Sequence, residues 1–229
     1  MICVSLAEES VAGCLAALKE LDFAEIRIDM IRLTLDDIRT LFSLPMRLIA
    51  TCRPGSIVDK YRKRFLMEAI ESGAAFVDVE VESERSYREE IIAKARACGC
   101  RVIVSFHDYV RTPARHVLER VVDSCFRAGA DIAKIACTVH LEQDNARLLG
   151  LLDDSKKILV IGMGEAGRIT RIVAPLLGSP FTFASLSGGK ETAGGQIDKE
   201  TLEGLLRNFA ESQAKVKVDV EKGNRPVGC

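Results

Sequence analysis

A chain of 229 residues that is 48% hydrophobic and 28% charged carries enough apolar material for one sizeable core, and its length suits a single barrel-sized domain. Its 32 Lys+Arg against 33 Asp+Glu exclude a global field that would draw nucleic acid or an anionic membrane surface, so any anion selectivity must be local. No apolar run approaches the ~20 residues that cross a bilayer, and the N-terminus lacks a signal peptide's basic start and apolar stretch, so a cytosolic protein is expected.

Along the chain, short β-rich runs alternate with longer segments of 3.6-residue apolar spacing. The strand candidates are Ile2 to Leu6, Ala24 to Ile28, Arg47 to Thr51, Phe76 to Val81, Arg101 to Phe106, Ile132 to Ala136, Ile158 to Ile161 and Thr182 to Leu186. The helix after strand five is expected to start at Thr112-Pro113, to carry Val117, Val121 and Phe126 at helical spacing, and to end at Gly129. The last helix takes Asp198 as N-cap and carries Leu202, Leu205, Leu206 and Phe209. Eight strand-helix units without a composition break predict parallel βαβ units closed into a (β/α)8 TIM barrel over residues 1–212, with a doubly wound open sheet as the alternative. Residues 213–229 read as a polar C-terminal tail. The eight cysteines are scattered through apolar segments and read as reduced core thiols. Three histidines and no Cys-x-x-Cys leave little from which to build a zinc site.

In a parallel barrel the chemistry sits at the C-terminal ends of the strands. Strand two ends Glu25-Ile26-Arg27-Ile28-Asp29, which places three charges on one face by the two-residue period. Strand three ends at Arg53, strand four carries Asp78 and Glu80, strand five runs into His107-Asp108, and strand six carries Lys134. A lysine inside an apolar strand bears a desolvation cost. One reading pairs it with Glu80 or Glu25. The other makes it a desolvated amine whose positive neighbours Arg27, Arg53 and Arg171 free its lone pair for attack on a carbonyl. His107, one strand away, is placed to move protons on a resulting imine. His116 and His140 receive no role.

Gly162-Met163-Gly164-Glu165-Ala166-Gly167 follows a strand and opens a helix, matching the dinucleotide pattern in spacing. The acid expected at the end of the next strand is missing, so a tight strand-to-helix turn is the preferred account.

Taken in order, Val4-Ser5-Leu6, Glu25 to Asp29, Thr51-Cys52-Arg53, Ser105 to Asp108, Ala133 to Ala136, Gly167 to Arg171 and Gly195-Gln196-Ile197 make the sequence resemble the type I 3-dehydroquinate dehydratases of the shikimate pathway, from Ile2 to about Phe209. The resemblance implies that Lys134 forms an imine, that His107 is the general acid/base and that Arg171 clamps a carboxylate. It further implies that Ser5, Glu25, Arg27, Arg53, Thr192 and Gln196 hold the ring hydroxyls and the polar shell, with Met163 and Phe183 packed against the ring. A homodimer, a small-molecule substrate (3-dehydroquinate) and a reaction without metal or organic cofactor are expected on the same ground. Two departures stand out: Gly194 replaces a usual proline, and the loop after Arg53 is short and lacks a glutamate that assists the histidine, leaving only Asp59 nearby. The rival enzyme is a class I Schiff-base aldolase using Gly164-Glu165 and Gly188-Gly189-Lys190 as a phosphate cradle. The rival non-enzyme is a binding or scaffold barrel whose rim charges are paired and inert.

Overall fold

The computed structural model describes residues 1–55, 57–153 and 155–223, with side chains to residue 211. Eight strands, β1 (Ile2–Leu6), β2 (Phe23–Arg27), β3 (Arg47–Thr51), β4 (Phe76–Glu80), β5 (Arg101–Asp108), β6 (Ile132–Thr138), β7 (Ile158–Met163) and β8 (Thr182–Ser185), alternate with eight helices. The helices are α1 (Val11–Leu18), α2 (Leu35–Phe42), α3 (Asp59–Glu71), α4 (Arg85–Ala97), α5 (Arg115–Ala128), α6 (Glu142–Leu149), α7 (Arg168–Leu176) and α8 (Lys199–Gly223). From β1 to β7 each strand pairs in parallel with the next in sequence, and β8 pairs with β1. The strand order β7-β6-β5-β4-β3-β2-β1-β8 therefore makes a nearly closed barrel, open at the β7–β8 seam, and excludes the doubly wound sheet, whose order would reverse.

The local signals act as their chemistry dictates. Thr34 and Asp37 form a reciprocal cap on α2, Gly129 ends α5 in the left-handed region at φ 106°, and the Asp198 carboxylate accepts from Thr201 N at the start of α8. Thr112 does not cap α5; its hydroxyl donates to Thr138 O, and the helix begins at Arg115. Helix α8 continues to Gly223, into the span read as a tail, and residues 224–229 lie outside the described residues. Among the described residues no helix is long and apolar enough to cross a membrane. Six of the seven described cysteines are buried and all are free; Cys229 lies outside the described residues.

The two-residue period sorts each strand. On β4, Val77 and Val79 face the helical layer, whereas Phe76, Asp78 and Glu80 face the barrel interior. The interior floor is apolar: Phe23, Phe76 and Phe181 meet at ring-centroid distances of 5.0 to 6.1 Å, with Arg47 and Arg101 over the rings at 5.2 and 4.2 Å. One layer higher the interior turns polar, with Ser5, Glu25, Thr51, Asp78, Ser105 and Lys134 all buried. The aromatic floor lies beneath this charged layer, which faces the C-terminal ends of the strands.

Candidate active site

A cavity of about 390 Å³ opens above the polar layer, within the range of small-molecule sites. Ten of the eleven residues anticipated from the sequence line it: Glu25, Arg27, Arg53, His107, Lys134, Met163, Arg171, Phe183, Thr192 and Gln196. The eleventh, Ser5, stands behind Glu25, donating to Glu25 Oε2 at 2.5 Å and accepting from Thr192 Oγ1 at 2.8 Å.

Lys134 is 5% exposed. Of the two carboxylate partners read from the sequence, Glu25 lies near it and Glu80 does not, and Asp78 is closer than either. Lys134 Nζ lies 3.0 Å from Asp78 Oδ2 and 3.6 Å from Glu25 Oε1, while Glu80 is taken by Arg53 and Arg62. The barrel's curvature puts β4 and β2 across from β6, and charge neutrality in a low dielectric favours the nearest carboxylates. The Phe183 ring lies 4.4 Å from Nζ, adding a cation–π contact. Arg53 grips Asp78 with both terminal nitrogens, at 2.9 and 2.6 Å, and also donates to Glu80 and Ser105. Burial would raise the Asp78 carboxyl, but Arg53 and Lys134 outweigh it and hold it well below the usual range. Glu25 is also held low, because Lys134, Arg27, Arg53 and the Ser5 hydroxyl overcome its burial.

His107, near the end of β5, faces the same interior as Lys134 through the register Ser105↔Lys134 and His107↔Ala136. Its ring stacks on Tyr109 at 5.8 Å. Burial, then the charges of Arg53 and Lys134, push its pKa well below 6.5, against the pull of Asp78. The imidazole is therefore neutral near pH 7 and able to accept a proton.

Arg171, one turn into α7, is 1% exposed. Its guanidinium donates to three backbone carbonyls, Gly195 at 2.9 Å, Phe183 at 3.3 Å and Gly194 at 3.4 Å, and no carboxylate among the described residues pairs with it. Burial and the charge of Arg168 bring its pKa down to about 10. A guanidinium has five N–H donors, so one remains on each terminal nitrogen, the fork that matches a carboxylate.

The segment 192–196 lies over the mouth. Arg27 Nη1 donates to Thr192 O, Gly164 N donates to Gly194 O, and Thr192 N donates to the Gln196 side chain. Gly194 thus keeps two donors on its carbonyl without the ring constraint of proline. Gly195 has φ 74°, and a Cβ there would fall 2.3 Å from Gly164 O. The glycine-rich turn after β7 is equally tight: a Cβ on Gly162 would lie 2.8 Å from Gly167 Cα. These glycines serve strand-helix packing, the preferred reading of that motif.

The sequence marked Asp78 only as a rim charge and Glu80 as a rim charge or a partner of Lys134; it gave Thr51 no role beyond its place in a motif and did not single out Arg62. Thr51 Oγ1 donates to Glu25 Oε1 at 2.8 Å. Asp59, considered as a helper for His107, is bound to Arg62 at 2.7 Å.

Fold and site together define a (β/α)8 barrel enzyme with a buried lysine, a neutral histidine and an arginine that meets no carboxylate among the described residues, around one cavity. The family model for type I 3-dehydroquinase matches residues 2–213, and the chain belongs to that family. It is 36% identical over 221 residues to 3-dehydroquinate dehydratase of Methanococcus maripaludis strain C6, covering 90% of this chain and 98% of that protein. It is 34% identical over 226 residues to the protein of that name from Methanocaldococcus jannaschii, covering 90% and 98%. Among solved structures, the Aquifex aeolicus 3-dehydroquinate dehydratase superposes with a TM-score of 0.79 at 27% identity, covering 91% of this chain and 98% of that one. The Clostridium difficile type I enzyme, solved with covalently modified comenic acid, gives 0.82 at 23% identity, covering 92% of each chain.

Proposed function

We propose that the protein dehydrates 3-dehydroquinate to 3-dehydroshikimate, the third step of the shikimate pathway, through an imine on Lys134. The observation that carries this reading is Arg171, a buried cation with two spare donors and no carboxylate partner among the described residues, lining the same cavity as a buried lysine and a neutral histidine. A site that leaves a cation in that state is built to receive a planar anion.

With the substrate carboxylate on Arg171, Lys134 gives up its ammonium proton and the free amine adds to the ring ketone; a proton returned to the carbinolamine hydroxyl lets it leave as water, and an iminium remains. The iminium acidifies the C–H between the ketone carbon and the carbon bearing the carboxylate. His107 takes that proton and the electron pair passes into an enamine. His107 then protonates the departing hydroxyl, which leaves as water while the enamine returns to a conjugated iminium. Water hydrolyses this to the product ketone and regenerates the amine. The lysine supplies the electrophilic activation itself, so the chemistry calls for no metal or organic cofactor. Met163 and Phe183 cover the ring, and the polar side chains of Glu25, Arg27 and Gln196 are available to its hydroxyls. Against the aldolase reading, two backbone amides of its phosphate cradle are already spent, Gly164 N on Gly194 O and Gly189 N on the Glu191 carboxylate, and Lys190 pairs with Glu8 at 2.8 Å.

The direct test is to add 3-dehydroquinate and follow the ultraviolet absorbance of the conjugated product. A steady rise supports the assignment; no rise with folded protein overturns it.

A further inference from the structure

Six side chains of alternating charge run in contact from α3 to the substrate cavity. Arg62 Nη2 meets Glu80 Oε2 at 2.9 Å, and Glu80 Oε1 meets Arg53 Nη1 at 2.7 Å. Arg53 Nη2 meets Asp78 Oδ2 at 2.6 Å, that same oxygen meets Lys134 Nζ at 3.0 Å, and Lys134 meets Glu25 at 3.6 Å. Every member is at most 8% exposed, so each charge depends on its neighbours rather than on water.

Arg62 is the outer end of this ladder. It is 2% exposed and is not on the cavity wall. Its Nε and Nη2 both donate to Cys52 O, at 3.0 and 2.8 Å, the carbonyl just before Arg53. It thus holds both the backbone that carries Arg53 and the carboxylate that Arg53 faces.

We propose that Arg62 is a positioning residue for the reactive amine, acting through Glu80, Arg53 and Asp78 without touching substrate. The inference rests on the reading of Lys134 as the imine-forming residue. Arg53 divides its donors between Asp78 and Glu80. Without Arg62, Glu80 keeps Arg53 as its only arginine partner and draws it from Asp78. Asp78 then leans harder on the Lys134 ammonium, and the proton that must leave before the amine can attack is held more tightly. Removing Glu80 acts oppositely, returning Arg53 wholly to Asp78. The other charged or titratable groups facing Lys134 are Cys3 on β1, Glu25 on β2, Arg53 after β3 and His107 on β5; Glu82 and Ser83 lie beside Glu80. Neither substitution removes any of these groups.

The test measures the rate of borohydride-trapped adduct formation on Lys134 with 3-dehydroquinate as a function of pH, in the unaltered protein, Arg62→Met and Glu80→Gln, with thermal unfolding of each. The account expects the midpoint of the profile to move up by about one unit in Arg62→Met, cutting the rate roughly tenfold below the midpoint, and to move down in Glu80→Gln. Loss of stability alone would lower the rate in both without moving the midpoint. Unmoved midpoints, or shifts of the same sign, overturn the proposal. Where Arg62→Met fails to fold, Glu80→Gln decides: a lowered midpoint supports the ladder and an unmoved one overturns it. Absence of any Lys134 adduct in the unaltered protein would instead overturn the imine reading on which the proposal stands.

Discussion

The Lys134 ammonium rests 3.0 Å from Asp78 Oδ2, and the same carboxylate is gripped by both terminal nitrogens of Arg53. On the proposed mechanism the lysine has two tasks: it neutralises buried carboxylates at rest and supplies the amine in turnover. Lys134→Ala should lose at least 10³-fold in turnover, because the covalent route is gone. It should also lose about 3 kcal/mol of stability through the carboxylates left unpaired. Product formation paired with chemical denaturation checks both; turnover within tenfold of the unaltered protein contradicts the assignment.

Arg171 lines the cavity and keeps two donors beyond the three it gives to backbone carbonyls. A carboxylate contact kept from binding through to product is uniform binding, so Arg171→Met should raise KM roughly 100-fold, or about 2.7 kcal/mol, with a smaller change in kcat. Steady-state kinetics decide, and an unchanged KM would place the carboxylate elsewhere.

His107 carries a pH signature of defined sign. Its folded pKa lies well below 6.5, so between these two values the unfolded chain binds more protons than the native protein. Stability from this group is fully present above about 6.5 and is lost as pH falls toward the folded pKa. Unfolding free energy measured from pH 8 to 5 should fall more steeply for the unaltered protein than for His107→Gln. Parallel curves would show that the imidazole is not held neutral by the site.

Gly195 occupies a left-handed φ with its Cβ direction blocked by Gly164 O. Gly195→Ala should displace the segment over the mouth, cost about 1–3 kcal/mol and lower kcat/KM. A variant with unaltered unfolding temperature and kinetics would mean that the segment has no fixed seat on the Gly164 turn.

What the sequence revealed depended on how local each signal is. Lys134, His107 and Arg171 were legible because a charge at the end of an apolar strand, or one turn into the following helix, has its direction set by its own element. Partners were harder. Asp78 meets Lys134 two strands away around the barrel, and Glu80 turns to Arg62 instead, choices fixed by closure rather than by spacing. Arg62 sits in the run Lys60-Tyr61-Arg62-Lys63-Arg64, where nothing in composition separates the one buried side chain from its neighbours. The strands β5, β6 and β7 run to Asp108, Thr138 and Met163, beyond the apolar runs that marked them, because the polar or flexible residues at their ends keep pairing across the mouth.

The central claim is that one lysine carries the covalent chemistry and one histidine the proton transfers. Borohydride reduction in the presence of 3-dehydroquinate, followed by peptide mass mapping, tests it most directly when run on the unaltered protein and on His107→Ala together. The account predicts a reduced adduct on Lys134 in both, with turnover of His107→Ala down by at least 10²–10⁴-fold. An adduct on another residue, or near-normal turnover without the imidazole, would contradict it.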